Sequence, residues 1–282
     1  MQFFKRFEYS NVCKSAGSCI VGCSMGAVVG GLYASGVSIS RMKHTLGPSF
    51  DVADFMGDTT FSLPNSPITR ILRLGHGIKN MFVSTGLDSG ERMYEYLLEM
   101  TRGVAFGHTA IPFYCNATDL CTGAEITPET GPIADAIRAS ASFPGVFAPV
   151  KKGEMLLADG YLRHNTPVWI ARKKGYSRVL AVYLDSFDTI SGETLKNPAD
   201  VLLRAFDCAL HPVASRRRDR PTAYIMANSP RSPFDFSKPE RQIQLGYEAT
   251  MAQKSTITAF FQGYRGVIRG LFQNKEIDDE RS

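Results

Sequence analysis

The chain has 282 residues, is 44% apolar and 21% charged, and carries a formal net charge of +5 at pH 7. That is enough chain for one large domain at an ordinary globular composition, which excludes a disordered or low-complexity polypeptide. Six cysteines at 13, 19, 23, 115, 121 and 208 form no Cys-x-x-Cys pair, and Lys5, Arg6 and Glu8 precede any apolar stretch. A disulfide framework, a metal knot and a secretory signal are therefore not expected, and a reducing, cytoplasmic setting is. The densest basic cluster, Arg216-Arg217-Arg218-Asp219-Arg220, lacks interleaved aromatics. It reads first as a solvated loop. Its functional reading is contact with the anionic inner face of a membrane, and no nucleic-acid partner is expected.

The elements alternate along the chain. Cys19–Cys23 reads as a strand and Met25–Ala34 as a helix whose small residues allow a close approach to a sheet. Residues 15–40 are uncharged, with Gly22, Gly26 and Gly30 at the spacing of a membrane-helix dimer face. Their serine and glycine content favours a buried strand, turn and helix over a span. Ser38 or Ser40 caps a short helix to Leu46, and 50–86 is irregular, in the manner of a flap. Ser89 is the expected cap of a helix over Glu91–Arg102, ended by Gly103. Phe113–Thr118 reads as a strand. Pro132 opens a helix with Ile133, Ala136, Ile137 and Ser140 on one face. Met155–Ala158 is a strand running into Asp159-Gly160, and Thr166-Pro167 begins a further helix. Val179–Leu184 reads as a buried strand, Asn197-Pro198 opens a helix to about Leu210, Ala223–Ala227 is a last strand, and a long helix begins near Pro239. Strands alternating with helices predict an α/β fold with a mainly parallel central sheet covered on both faces. Functional residues in such sheets gather past the carboxyl ends of strands. Ser24 and Asp159 both occupy that position.

Gly22-Cys23-Ser24-Met25-Gly26 is a Gly-x-Ser-x-Gly motif in a strand–turn–helix context. The turn lifts the serine hydroxyl clear of the backbone, and the helix behind it favours developing negative charge. Ser24 is thus a candidate nucleophile, against the bland reading of a glycine-rich turn. Asp119 and Asp185 read as loop-holding carboxylates and His164 as a polar loop residue. Among His44, His76, His108, His164 and His211, only His211 comes late enough for the histidine of a Ser-His-Asp triad.

Several blocks in order resemble the patatin-like phospholipase family. They are Gly22–Gly26 leading to Leu32-Tyr33-Ala34-Ser35-Gly36, Ala117-Thr118-Asp119-Leu120, Ala139-Ser140-Ala141-Ser142-Phe143-Pro144-Gly145-Val146-Phe147, and Leu157-Ala158-Asp159-Gly160. The resemblance implies a three-layer α/β/α sandwich and a serine acyl hydrolase acting on lipid esters. It implies Ser24 as nucleophile, Asp159 as base, no catalytic histidine, no metal and no cofactor. Gly22, Gly26 and Gly160 are the motif glycines, and the Met25 backbone N–H is the one oxyanion donor the sequence places. The length and composition read as one domain over residues 1–274, with 275–282 a loose polar tail.

The sequence departs from the family in two places. Only 23 residues precede Ser24, and Met1–Gly17 holds one glycine, so the expected glycine-rich oxyanion loop and first strand are not found. The domain is accordingly read either as incomplete at its amino terminus or as one in which Phe3–Val12 replaces the lost parts; it is expected to be weakly active, with a degenerate lipid- or partner-binding member as the alternative function. Tyr161 stands where the family carries glycine or alanine, and is expected to crowd the base.

Overall fold

Ile20–Gly22 (β1) leads through Cys23 and Ser24 into the helix Met25–Ala34 (α1), as the sequence predicts. The computed structural model describes residues 18–45, 88–144, 146–184, 189–195, 201, 204–206, 208–209, 220–227 and 239–262. The expectations for residues 1–17 and 50–86, for His76, Asp185 and His211, for the basic cluster up to 219 and for the polar tail lie outside these residues.

Strand β1 pairs in parallel with Phe113–Cys115 (β2), setting Ile20 opposite Phe113 and Gly22 opposite Cys115. Ile20 and Phe113 face α1, where two glycines leave room for them. A Cβ on Gly30 would lie 2.9 Å from Ile20 Cγ2, and one on Gly31 would lie 3.2 Å from Phe113 Cζ. On this face α1 joins Glu91–Thr101 (α3) and Ile133–Ser140 (α4) in one core that includes Leu32, Leu97, Met100, Phe113, Ile133 and Ile137. Ile39–Thr45 (α2) follows α1, and Ser38 Oγ accepts the Arg41 N–H at 3.2 Å, the expected cap.

Side chains alternate along a strand, so the neighbours of Ile20 and Phe113 face the other way. There the Cys19 thiol hydrogen-bonds Tyr176, and Lys174 Nζ sits 4.9 Å above the Tyr114 ring. Both partners follow the helix Val168–Lys173 (α5). Helices on both faces of the strands give the three-layer α/β/α arrangement.

The expected strand Phe113–Thr118 divides at Asn116. Its second half, Ala117–Asp119 (β3), enters an antiparallel ladder with Glu125–Ile126 (β4), Met155–Asp159 (β6) and Val150–Lys152 (β5). Asp159 lies opposite Ala117 at the carboxyl end of β6. The parallel pairs are β1–β2 and Leu180–Tyr183 (β7) with Ala223–Met226 (β8). The helix Pro239–Ala252 (α6) reaches β8 through Gln253 Nε2, which donates to the Met226 carbonyl at 3.3 Å.

Two local expectations change. Strand β7 is not buried throughout: Ala181 is inside, but Val182 is 53% and Leu184 65% exposed. Its continuous apolar run is therefore not covered along the side of Val182 and Leu184, while Tyr224 of β8 pairs with Ala181 on the other side and meets the Tyr183 ring at 5.8 Å. Ser89 is not the cap of α3. Gly90 takes that place at φ 71°, its N–H donating to Asp88 Oδ1 at 2.6 Å, while Ser89 Oγ only approaches the Glu91 N–H at 3.4 Å.

Candidate active site

The turn between β1 and α1 is tight enough that Gly22 must be a glycine. A Cβ there would stand 2.6 Å from both the N and Cα of Ala27, inside the first turn of α1. Ser24 comes next but one, at φ 53° and ψ −127°, a conformation that costs a non-glycine residue about 1–3 kcal/mol. Its carbonyl is already part of the helix, accepting from the Ala27 N–H at 2.8 Å and the Val28 N–H at 3.1 Å. Gly26 differs from Gly22: it is exposed, and a Cβ there meets nothing within 4 Å.

Ser24 Oγ donates to Asp159 Oδ2 at 2.7 Å, across 135 positions of sequence. The other carboxyl oxygen, Oδ1, accepts the Tyr161 N–H at 2.8 Å and lies 3.9 Å from the Cys23 thiol. Asp159 is fully buried. Burial raises its pKa from 3.8 to about 7, against the opposing pull of the hydrogen bonds from Ser24 and Cys23. Burial first, and the nearby Asp159 charge second, push the Cys23 thiol well above its ordinary range, so it stays a proton donor.

The backbone around Asp159 is fixed from three sides. Its own N–H donates to the Ser142 carbonyl at 2.9 Å, and Thr118 Oγ1 donates to its carbonyl at 2.9 Å. Asn116 holds the turn beyond it: Nδ2 donates to the Gly160 carbonyl at 3.2 Å, the His164 carbonyl at 2.9 Å and Glu125 Oε1 at 2.8 Å. Gly160 packs so closely on Asn116 that an added Cβ would lie 2.6 Å from the Asn116 carbonyl oxygen.

Helix α4 supplies the rest of the support. Ser140 Oγ accepts the Ser24 N–H at 3.1 Å. Arg138 is buried, and its guanidinium donates to the carbonyls of Gly90, Ser89 and Ala148 at 3.0, 2.6 and 3.0 Å, and to Ser142 Oγ. This ties the loop before α3 to the segment that ends at Ser142. No sequence pattern marks Asn116, Arg138, Ser140 or Ser142 for a role, although the last two lie within the Ala139–Phe147 block.

The remaining sequence candidates take other places. Asp119 holds its loop as expected, accepting the Cys121 and Leu156 N–H groups at 3.2 and 3.1 Å and the Thr122 hydroxyl at 2.6 Å. The His164 ring pairs with Glu125 at 2.8 Å. Tyr161 turns its ring to Phe143, with centroids 6.1 Å apart, and Phe143 meets Phe206 edge-on at 6.4 Å. The Met25 N–H heads α1 and has no hydrogen-bond partner among the described residues. Among those residues no cluster of three or more metal-ligating side chains occurs, and no helix is long and apolar enough to cross a membrane.

Residues 18–172, more than half of the chain, match the family described as patatin-like phospholipase. The chain belongs to that family. Over 149 residues, 53% of the chain, it is 32% identical to uncharacterized NTE family proteins of Mycobacterium bovis and Mycobacterium tuberculosis, and covers 36% of each. Over 176 residues, 61% of the chain, it is 27% identical to a lysophospholipase of Cryptococcus neoformans, and covers 10% of it. The chain thus spans about a third or less of the length of these curated relatives. Among solved structures it is similar to VipD from Legionella pneumophila, at a TM-score of 0.44 and 13% identity over 84% of this chain and 60% of that one.

Proposed function

We propose that the chain is a serine acyl hydrolase that cleaves fatty-acyl esters of lipids through a dyad of Ser24 and Asp159. The observation that carries this reading is the 2.7 Å hydrogen bond from Ser24 Oγ to the buried Asp159 carboxyl. Ser24 Oγ attacks the ester carbonyl carbon while its proton passes to Asp159 Oδ2. The tetrahedral adduct collapses, the ester C–O bond breaks, and Asp159 returns the proton to the departing alcohol. Water then attacks the acyl-serine and gives a proton to Asp159. The fatty acid leaves, and the proton returns to Ser24. A carboxyl near neutrality is a competent base for this exchange, which an ordinary aspartate is not. The Met25 N–H at the start of α1 is the donor for the oxyanion. Phe143 and Tyr161 give an apolar wall next to the base, suited to an acyl chain. A second reading is a weakly active or inactive member that binds lipid or a protein partner; among the described residues the Met25 N–H is the oxyanion donor in place.

A fluorophosphonate probe separates the two. It is expected to label the wild type at Ser24 and to leave Ser24→Ala unlabelled, as located by peptide mass analysis. No reaction at Ser24 under conditions that label a control serine hydrolase would reject the hydrolase reading. His211→Ala should hold hydrolysis of a short-chain aryl ester within about 3-fold of wild type, because the dyad gives no proton-transfer role to it. A severe loss in the folded variant would restore the triad.

The cluster Arg216–Arg220 and the +5 charge motivate peripheral contact with an anionic membrane. Vesicles containing anionic lipid should bind the protein more tightly than neutral ones, and raising salt from 0.05 to 0.5 M, values on the order that shortens the screening length about threefold, should release it. Binding indifferent to lipid charge and salt would remove this part of the proposal.

A further inference from the structure

Ser24 needs a backbone geometry that its own chemistry disfavours. At φ 53° and ψ −127° its side chain crowds the backbone, and an unrestrained serine relaxes away from that region. Two contacts oppose the relaxation. One is the helix, which holds the Ser24 carbonyl through the Ala27 and Val28 N–H groups. The other is the 3.1 Å hydrogen bond from the Ser24 N–H to Ser140 Oγ. The carbonyl bonds fix the peptide on the helix side of Ser24. The amide that precedes its Cα is held at the Cys23 carbonyl by the Gly26 N–H at 2.8 Å and, among the described residues, at its N–H by Ser140. We infer that Ser140 is a positioning residue for the nucleophile, its hydroxyl oxygen clamping the Ser24 amide so that Oγ meets Asp159.

Ser140 is suited to this work. It is fully buried, so water does not compete for its oxygen. It is the last residue of α4, whose residues from Ile133 to Ser140 are all buried except Asp135. Two residues further on, the Ser142 carbonyl takes the Asp159 N–H. The end of one helix therefore bonds the backbone of both members of the dyad, and Arg138 pins that end to the loops on either side. Loss of the Ser140 oxygen leaves the Ser24 N–H without its acceptor. The elbow then opens toward an ordinary φ, and the Ser24 Oγ swings off Asp159. The base keeps its burial and its contacts with Tyr161 and Cys23 but loses the Ser24 hydrogen bond that pulls its pKa down, so its pKa rises further.

This inference rests on the dyad reading, and its test separates the two. Ser140→Ala should lower kcat for a short-chain aryl ester, and the rate of fluorophosphonate labelling at Ser24, by about 10- to 100-fold, the scale of a small misplacement of a reacting group. KM should change by less than about 2-fold, and the pH at half-maximal rate should move upward, because the hydrogen bond from Ser24 that pulls the Asp159 pKa down is lost. Rates are taken per folded molecule, from far-UV circular dichroism at the assay temperature. Ser140→Cys, which keeps the size and a weak acceptor, should fall between the two. In protein labelled with 15N-serine, the Ser24 amide, assigned by its absence in Ser24→Ala, should be slow to exchange in the wild type. It should shift and exchange faster in Ser140→Ala. Wild-type labelling rate in folded Ser140→Ala, or an unmoved Ser24 amide, would each overturn the inference. A wild type that never reacts at Ser24 would instead sink the dyad, while the amide still reports whether Ser140 holds it.

Discussion

Asp159→Asn is expected to lower ester turnover by about 100- to 10,000-fold, the usual range for loss of a general base, and at the same time to make the protein more stable at pH 8. Asparagine matches the carboxylate in shape. Its oxygen replaces Oδ1 against the Tyr161 N–H, and its amide donates to Ser24 Oγ, so the fold keeps its contacts while the proton acceptor is gone. The gain in stability comes from burial. The carboxyl titrates near 3.8 when unfolded and near 7 when folded. Between those values the folded protein holds the extra proton, so stability falls as pH rises through the window and is level above it. Each pKa unit is worth about 1.4 kcal/mol, so the ionised carboxylate at pH 8 opposes folding by as much as about 4 kcal/mol. Thermal midpoints taken from pH 4 to pH 8 should show the Asn variant and the wild type together at the acid end and the variant higher at pH 8. In the wild type, kcat/KM should rise with pH to a plateau above about 7, because only the ionised base accepts the proton. Wild-type turnover in the Asn variant, or coincident midpoints at pH 8, would contradict this account of the base.

Gly22→Ala should unfold the elbow, whereas Gly26→Ala should not. Both are glycines of the same motif, but only Gly22 is pressed against backbone, with the Ala27 N and Cα 2.6 Å from where its methyl would go. Backbone cannot swing aside as a side chain does, so the start of α1 must move. Overpacking of this kind typically costs about 1–3 kcal/mol and sometimes more, and the absence of a flexible neighbour places Gly22→Ala at or above about 3 kcal/mol. Gly26 is exposed inside a helix with open space around its Cα. Alanine there should add roughly 0.5–1 kcal/mol through helix propensity. Urea denaturation of the two variants measures both effects. Equal destabilisation by the two substitutions would mean that the motif's glycines share one role, contrary to the geometry.

How much of the site was legible in the sequence depends on how far each contact reaches. The Ser24 elbow is local: the glycines, the apolar strand and the small-residue helix lie within 15 positions, and their pattern carries the geometry. Asp159 was legible as the end of a strand followed by glycine, within a run of family-like blocks. The contacts that enclose it were not, because they join distant parts of the chain: Thr118 lies 41 positions earlier and Ser24 135. Ser140 fitted the buried stripe of its helix at Ile133, Ala136 and Ile137, and nothing in that spacing marks a hydroxyl whose partner lies 116 positions earlier. Asn116 sits inside an otherwise continuous strand pattern. Its amide reaches 44 and 48 positions ahead to Gly160 and His164, and no local period records such a link. Val179–Leu184 failed in the opposite way: an apolar run looks the same whether both of its faces are covered or only one.

The span of 135 positions between Ser24 and Asp159 also bears on the order in which the protein assembles. Closing a segment of that length is among the entropically dearer events of folding, and contacts of such long range form late. The helices and hairpins on either side are local and need no such closure. If hydrolysis runs through the proposed dyad, its recovery on refolding is expected to follow the return of secondary structure rather than accompany it.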